Sequence, residues 1–106
     1  MKPLPFYAYE LDISTGKPYA RRMTGYHRQF NGVSFYVAKH AKGLWRAYDQ
    51  DSGRWMVEAR TMKGAMAAAE SCVARADSAG AFTSARYKGY CREFLELRKE
   101  ATNGLL

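Results

Sequence analysis

The sequence predicts an α+β fold, an antiparallel sheet of three to five strands followed by two C-terminal helices. Three observations carry this. Turn signals punctuate the first sixty residues, most sharply at Asn31-Gly32, Lys42-Gly43 and Asp51-Ser52-Gly53. Between them side chains alternate with a period of two, Val33, Phe35 and Val37 against Ser34, Tyr36 and Ala38, the mark of a strand with one face inward. After Thr61 the chain becomes rich in Ala and Met and takes on helical spacing.

Phe6–Asp12 is aromatic and β-prone, and Ser14-Thr15-Gly16-Lys17 turns the chain. Tyr19 to Phe30 returns as a second strand, with a possible break at Gly25. Asn31-Gly32 suits a type I′ hairpin, which needs positive φ at both central residues. A strand from Val33 follows, then Leu44–Gln50 and Arg54–Arg60. The last of these places Trp55, Val57 and Ala59 on one face. Strands joined by turns this short are antiparallel neighbours.

Thr61 is the N-cap of a first helix over about 62–76, whose stripe is Ala65, Ala69, Cys72, Val73 and Ala76. Such small residues let a helix approach a sheet closely. Ser78–Thr83 is a loop. A second helix spans about 84–101, with Tyr87, Tyr90, Cys91, Phe94, Leu95 and Arg98 on one stripe. Thr102-Asn103-Gly104 stops it, and Leu105-Leu106 frays unless it docks. The second helix either packs beside the first or makes a homodimer contact. The 106 residues form a single domain, strand-rich over 6–60 and helical beyond.

Chemistry is sparse. A nucleophile needs a base within reach, and the two histidines, His27 and His40, sit among cations with no carboxylate to orient them. Cys72 and Cys91 lie beside apolar neighbours in helical segments, so buried, reduced thiols are expected. No pair among these four residues has the close spacing of a structural zinc site. The glycines stand one per turn rather than in a phosphate-binding loop. The expectation is therefore a non-catalytic protein without metal or cofactor.

Charge points to binding. The net charge is +7, and residues 1–64 hold eleven Lys/Arg against five Asp/Glu, a net of +6. A lopsided positive field attracts anionic partners. Arg21, Arg22, Arg28, Tyr36, Lys39, Lys42, Arg46, Tyr48, Arg54 and Arg60 are the candidate partner-binding residues. Cations can neutralise phosphates while aromatics stack on bases. Equally, Arg, Tyr and Trp can anchor a protein interface, and the blander alternative is a solvated basic face. No segment is apolar for long enough to cross a membrane, and Met1-Lys2-Pro3-Leu4-Pro5 lacks a signal-peptide core behind it. A cytoplasmic protein is expected.

Over residues 31–75, Lys42-Gly43-Leu44-Trp45-Arg46-Ala47-Tyr48-Asp49, the Ser52-Gly53 turn and Thr61-Met62-Lys63-Gly64-Ala65-Met66-Ala67-Ala68-Ala69 resemble a strand–turn–strand–helix unit of small phage and mobile-element proteins. Some anti-CRISPR proteins share the Gly-x-Trp strand and the Ala-rich helix after a Thr. That resemblance implies an inhibitor that binds a host nucleoprotein defence complex in the host cytoplasm. The same stretch is similar to sheet-type DNA readers such as the AP2 and integrase arm-binding domains. That second likeness implies direct contact with DNA or RNA.

Overall fold

A computed structural model describes residues 2–103. The chain forms β1 (Leu4–Leu11), β2 (Pro18–Phe30), β3 (Val33–Ala41), β4 (Leu44–Asp49), β5 (Trp55–Ala59), α1 (Met62–Ser78) and α2 (Ala85–Asn103). The strands make one antiparallel sheet in the order β1-β2-β3-β4-β5, so the α+β reading holds at the upper end of its strand count. The turns explain the meander. Asn31 (φ 51°) and Gly32 (φ 77°) both take positive φ, as a type I′ hairpin requires.

Register divides the side chains between two faces. One carries Phe35, Val37 and Ala47, all fully buried. Ala65, Met66, Ala69 and Val73 of α1 pack against it, forming the main core. Small residues on the helix stripe permit this close approach. The Thr61 hydroxyl caps the helix by accepting from the Gly64 N–H at 3.0 Å.

The other face is covered by the chain's own first hairpin. At adjacent-strand spacing, β1 in a flat sheet would lie about 14 Å from β4. Yet the Phe6 ring stacks on Tyr36 with centroids 4.6 Å apart and meets Tyr48 at 5.6 Å. The sheet therefore curls, and Phe6, Ala8, Ala38 and Tyr48 form a second core inside the curl. Gly25 is the corner. β2 pairs with β1 up to Gly25 and with β3 from Tyr26 onward. A Cβ at Gly25 would lie 2.8 Å from the Val37 carbonyl oxygen and 3.0 Å from Phe6, so only glycine lets the strands pass this closely.

The curl closes at the β4–β5 turn. The Tyr9 N–H donates to the Gly53 carbonyl at 2.8 Å. Phe94 of α2, fully buried, lies against the same glycine. The α2 stripe thus packs within the chain, leaving Leu95 of its apolar members exposed.

Several expectations need correction. A bulge between Ala47 and Tyr48 pairs Val57 with Ala47 but Trp55 with Tyr48, so Trp55 sits on the face opposite Val57. Cys72 and Cys91 are free thiols but only half-buried. Residues 81–83 of the expected loop form a 3-10 turn, and α2 continues through Thr102 and Asn103. The Gly104 stop and the Leu105-Leu106 tail lie outside the described residues.

Gly53 has φ +69° and a Cβ there would collide with the Phe94 ring, whereas Gly43 has the same φ over open space. Gly53→Ala is expected to cost about 3 kcal/mol, combining left-handed strain with overpacking. Gly43→Ala is expected to cost only about 1–2 kcal/mol from the strain alone. Urea denaturation of the two variants measures the difference.

Candidate functional site

A basic end forms where β3 turns into β4 and β5 runs into α1. Lys39 pairs with Trp45, and Trp45 with Ala59, so Lys39, His40, Lys42, Arg60 and Lys63 gather around one short edge. All five are exposed. Residues 13–48 contain seven Lys/Arg and no Asp/Glu, and residues 59–69 are likewise free of acids. Among the described residues none of these cations has a carboxylate within ion-pair distance. Trp45, half-buried against the core, is the large aromatic at this end.

The other candidates scatter. Arg28 pairs with Phe35, four residues along β3 from Lys39, about 13 Å away by strand rise. Arg21 and Arg22 lie on the folded-over hairpin, where Arg21 stands 3.6 Å from Glu10. Arg46 donates to Glu58 at 2.5 Å and lies over the Trp55 ring at 4.2 Å. Arg54 is held between the Tyr9 and Tyr90 rings, 4.1 and 3.8 Å from their centroids, and reaches Glu93 at 3.3 Å. It acts as a clamp joining β1, the start of β5 and α2.

Tyr36 stacks on Phe6, and Tyr48 is 1% exposed. Tyr48 thus presents no surface to a partner, contrary to its place among the expected contact residues. The face read as basic and aromatic separates on folding. Aromatic rings, each with a large apolar area, fill the curl and the helix interfaces, and apart from Arg46 and Arg54, which lie on rings, the candidate cations remain in water.

A polar cluster that sequence reading passed over lies beneath the helices. Asp49, at the end of β4, is 4% exposed. Its Oδ2 accepts from the Ser52 N–H (3.0 Å), the Ser52 hydroxyl (2.6 Å) and the Tyr87 hydroxyl (2.8 Å). Burying a carboxylate is costly, and these three donors offset that cost while locking the β4–β5 turn to α2. The local signal was present in Asp49 and Ser52, which suit an Asx-type turn. The link to Tyr87, thirty-eight residues away, was not.

Burial, with the Asp49 carboxylate adding to it, holds the Tyr87 phenol well above its ordinary value. Burial also raises Tyr48, partly opposed by Arg46, and raises the Cys91 thiol, partly opposed by the neighbouring Tyr87. Among the described residues no three of His, Cys, Asp and Glu converge to hold a metal ion, and no helix is long and apolar enough to cross a membrane.

A phenol whose value is raised on folding keeps its proton where the unfolded chain has lost it. Its stabilising share is complete below the unfolded value of 10.0 and is lost as pH rises beyond it. Stability in urea is therefore expected to fall above about pH 10, more steeply in the native chain than in Tyr87→Phe. At neutral pH, Tyr87→Phe is expected to cost about 1–3 kcal/mol by removing a donor from a buried carboxylate. Comparison with known proteins finds no matching family model, no similar curated protein and no similar solved structure.

Proposed function

We propose that this chain is a non-catalytic binding protein that docks its basic end on a host nucleoprotein complex, an inhibitor of the anti-CRISPR kind that its sequence resembles. The observation that carries this is the gathering of Lys39, Lys42, Arg60 and Lys63 at one edge, none of them within ion-pair distance of a carboxylate among the described residues. Three other cations of the sheet are engaged. Arg46, Arg54 and Arg21 stand against carboxylates, and two of them lie on aromatic rings. A compact positive field of this kind speeds encounter with a polyanionic surface and sets its orientation.

The large aromatic at this end, Trp45, is half inside the core, so the edge offers little for stacking unpaired bases. That favours docking on a phosphate-lined or acidic surface over threading a single strand. Direct binding of free DNA or RNA is the second reading. It is favoured by the acid-free stretch 13–48, which extends the positive field along the exposed Arg22 and Arg28.

The test compares the native chain with Lys39→Glu/Lys42→Glu/Arg60→Glu. Immobilised native protein is expected to capture a guide-loaded CRISPR effector complex from a host lysate. The triple variant should capture it at least about tenfold less well, with an unchanged circular dichroism spectrum. Equal capture by both would remove the basic end from the interface. Fluorescence anisotropy on labelled duplex and single strands separates the second reading. Binding that persists near physiological salt and falls steeply as salt rises would place free nucleic acid first. Arg46→Glu, by contrast, sets two carboxylates together across β4 and β5, and is expected to lower stability by about 1–2 kcal/mol.

A further inference from the structure

β1 leaves one edge of the sheet open. The Asp12 N–H donates to the Lys17 carbonyl, and the register carries that alternation back through Glu10, Ala8 and Phe6, which bond to β2. Pro5, Tyr7, Tyr9 and Leu11 therefore turn their peptide groups away from β2. Tyr9 bears this out, since its N–H reaches the Gly53 carbonyl at 2.8 Å. That bond divides the edge in two. On the N-terminal side Pro5 has no N–H to offer, a device that blunts an edge against pairing. On the other side the Tyr9 carbonyl and the N–H and carbonyl of Leu11 bond to nothing among the described residues.

These groups face a groove of about 430 Å³ lined by Tyr9, Glu10, Leu11, Arg46, Arg54 and Trp55. Consecutive residues of a strand point to opposite faces, so a groove that touches three in a row meets β1 edge-on. The start of β5 forms the opposite wall. Leu11 and Trp55 are 56% and 48% exposed, so apolar surface flanks the open peptide groups. Arg46 donates to Glu58 through Nε, and Arg54 to Glu93 through Nη2. Nη1 and Nη2 of Arg46 and Nη1 of Arg54 donate to none of the described residues and, unlike the sealed Arg54 Nε, keep accessible surface. The carboxylate in the lining, Glu10, stands 3.6 Å from Arg21.

We infer that this groove takes an extended acidic segment of a partner protein as an added strand on β1. A guest residue opposite Leu11 donates to its carbonyl and accepts from its N–H, and the guest residue two places along donates to the Tyr9 carbonyl. Guest carboxylates meet the free guanidinium nitrogens, and guest apolar side chains cover Leu11 and Trp55. The β5 wall selects the kind of guest. A second copy of this chain offers its own β1 only with β2 attached to the far edge, and that strand would meet β5. A tail or loop that is free on both edges fits. The lining includes none of Lys39, His40, Lys42, Arg60 and Lys63, so this inference is independent of the docking proposal.

The experiment is a heteronuclear NMR titration of the whole chain with acetyl-Val-Glu-Val-Glu-Val-amide. Two controls accompany it, the same peptide with lysine for glutamate and the glutamate peptide methylated at every backbone nitrogen. The glutamate peptide is expected to shift the amides of Glu10, Leu11 and Trp55 saturably, and each control to bind at least about tenfold more weakly. Parity of the lysine peptide would remove the arginines from recognition. Parity of the methylated peptide would remove strand pairing. Shifts confined to Lys39, Lys42, Arg60 and Lys63 would assign the peptide to the basic edge. A Leu11 amide that shifts on concentrating the chain alone would assign the groove to a second copy. Each of these results overturns the inference, as does the absence of saturable shifts. Leu11→Pro deletes an edge donor that the β1–β2 ladder does not use, and is expected to weaken the glutamate peptide at least about tenfold. Leu11→Ala keeps that donor and is expected to weaken it by no more than about threefold. A Leu11→Pro chain with native dispersion that binds the peptide as the native chain does would also overturn the assignment.

Discussion

Gly53 is the position on which the tertiary structure depends. Its carbonyl receives the Tyr9 N–H and so closes the curl of the sheet, and its bare Cα gives the Phe94 ring room to sit. The left-handed backbone it adopts turns β4 into β5 and brings Asp49 opposite Arg54. From that one corner three connections follow: Arg54 to Tyr9 and Tyr90, Asp49 to Tyr87, and Phe94 to the turn. Without the close approach at Gly53, the Phe94 ring of α2 would lose its seat on the β4–β5 turn. A helix held mainly by one buried ring and a few polar contacts cannot replace that loss by repacking.

The two glycine corners do different work. Gly25 lets β2 change partners, so one long strand serves both the folded-over hairpin and the main sheet. Gly53 fixes where that hairpin comes to rest. Between them, the curl provides a core on both faces of the sheet. A small domain must bury a large fraction of its apolar surface to be stable, and covering the second face with its own first hairpin meets that need.

The same economy of surface governs the separation of charge from aromatics. Fifteen aromatic residues in a chain of this size find burial easily, because the curl and the helix interfaces both demand large side chains. Tyr36 and Tyr48 fill the curl, while Tyr9 and Tyr90 enclose Arg54. Cations whose strands carry a facing carboxylate are drawn into pairs. Those on the acid-free β3–β4 edge and at the entry to α1 stay in solvent.

The sequence by itself determined the order and type of the elements, since turn chemistry and side-chain period are local. Asn31-Gly32 sets a hairpin, Val33 to Val37 alternate, and Thr61 caps a helix whatever surrounds them. It also determined that the positive charge lies in the first two thirds of the chain. Tertiary structure alone decided which cations are free. Arg46 and Arg54 read in sequence as equals of Lys39 and Lys42, but pairing with Glu58 and Glu93 depends on register and on where α2 lands. It likewise decided that Tyr48 is buried, because only the curl brings Phe6 over it, and that Trp55 faces away from Val57, because a single bulge residue reverses the alternation. The Asp49–Tyr87 bond joins residues thirty-eight apart, and no local pattern encodes a contact created by closing so long a loop.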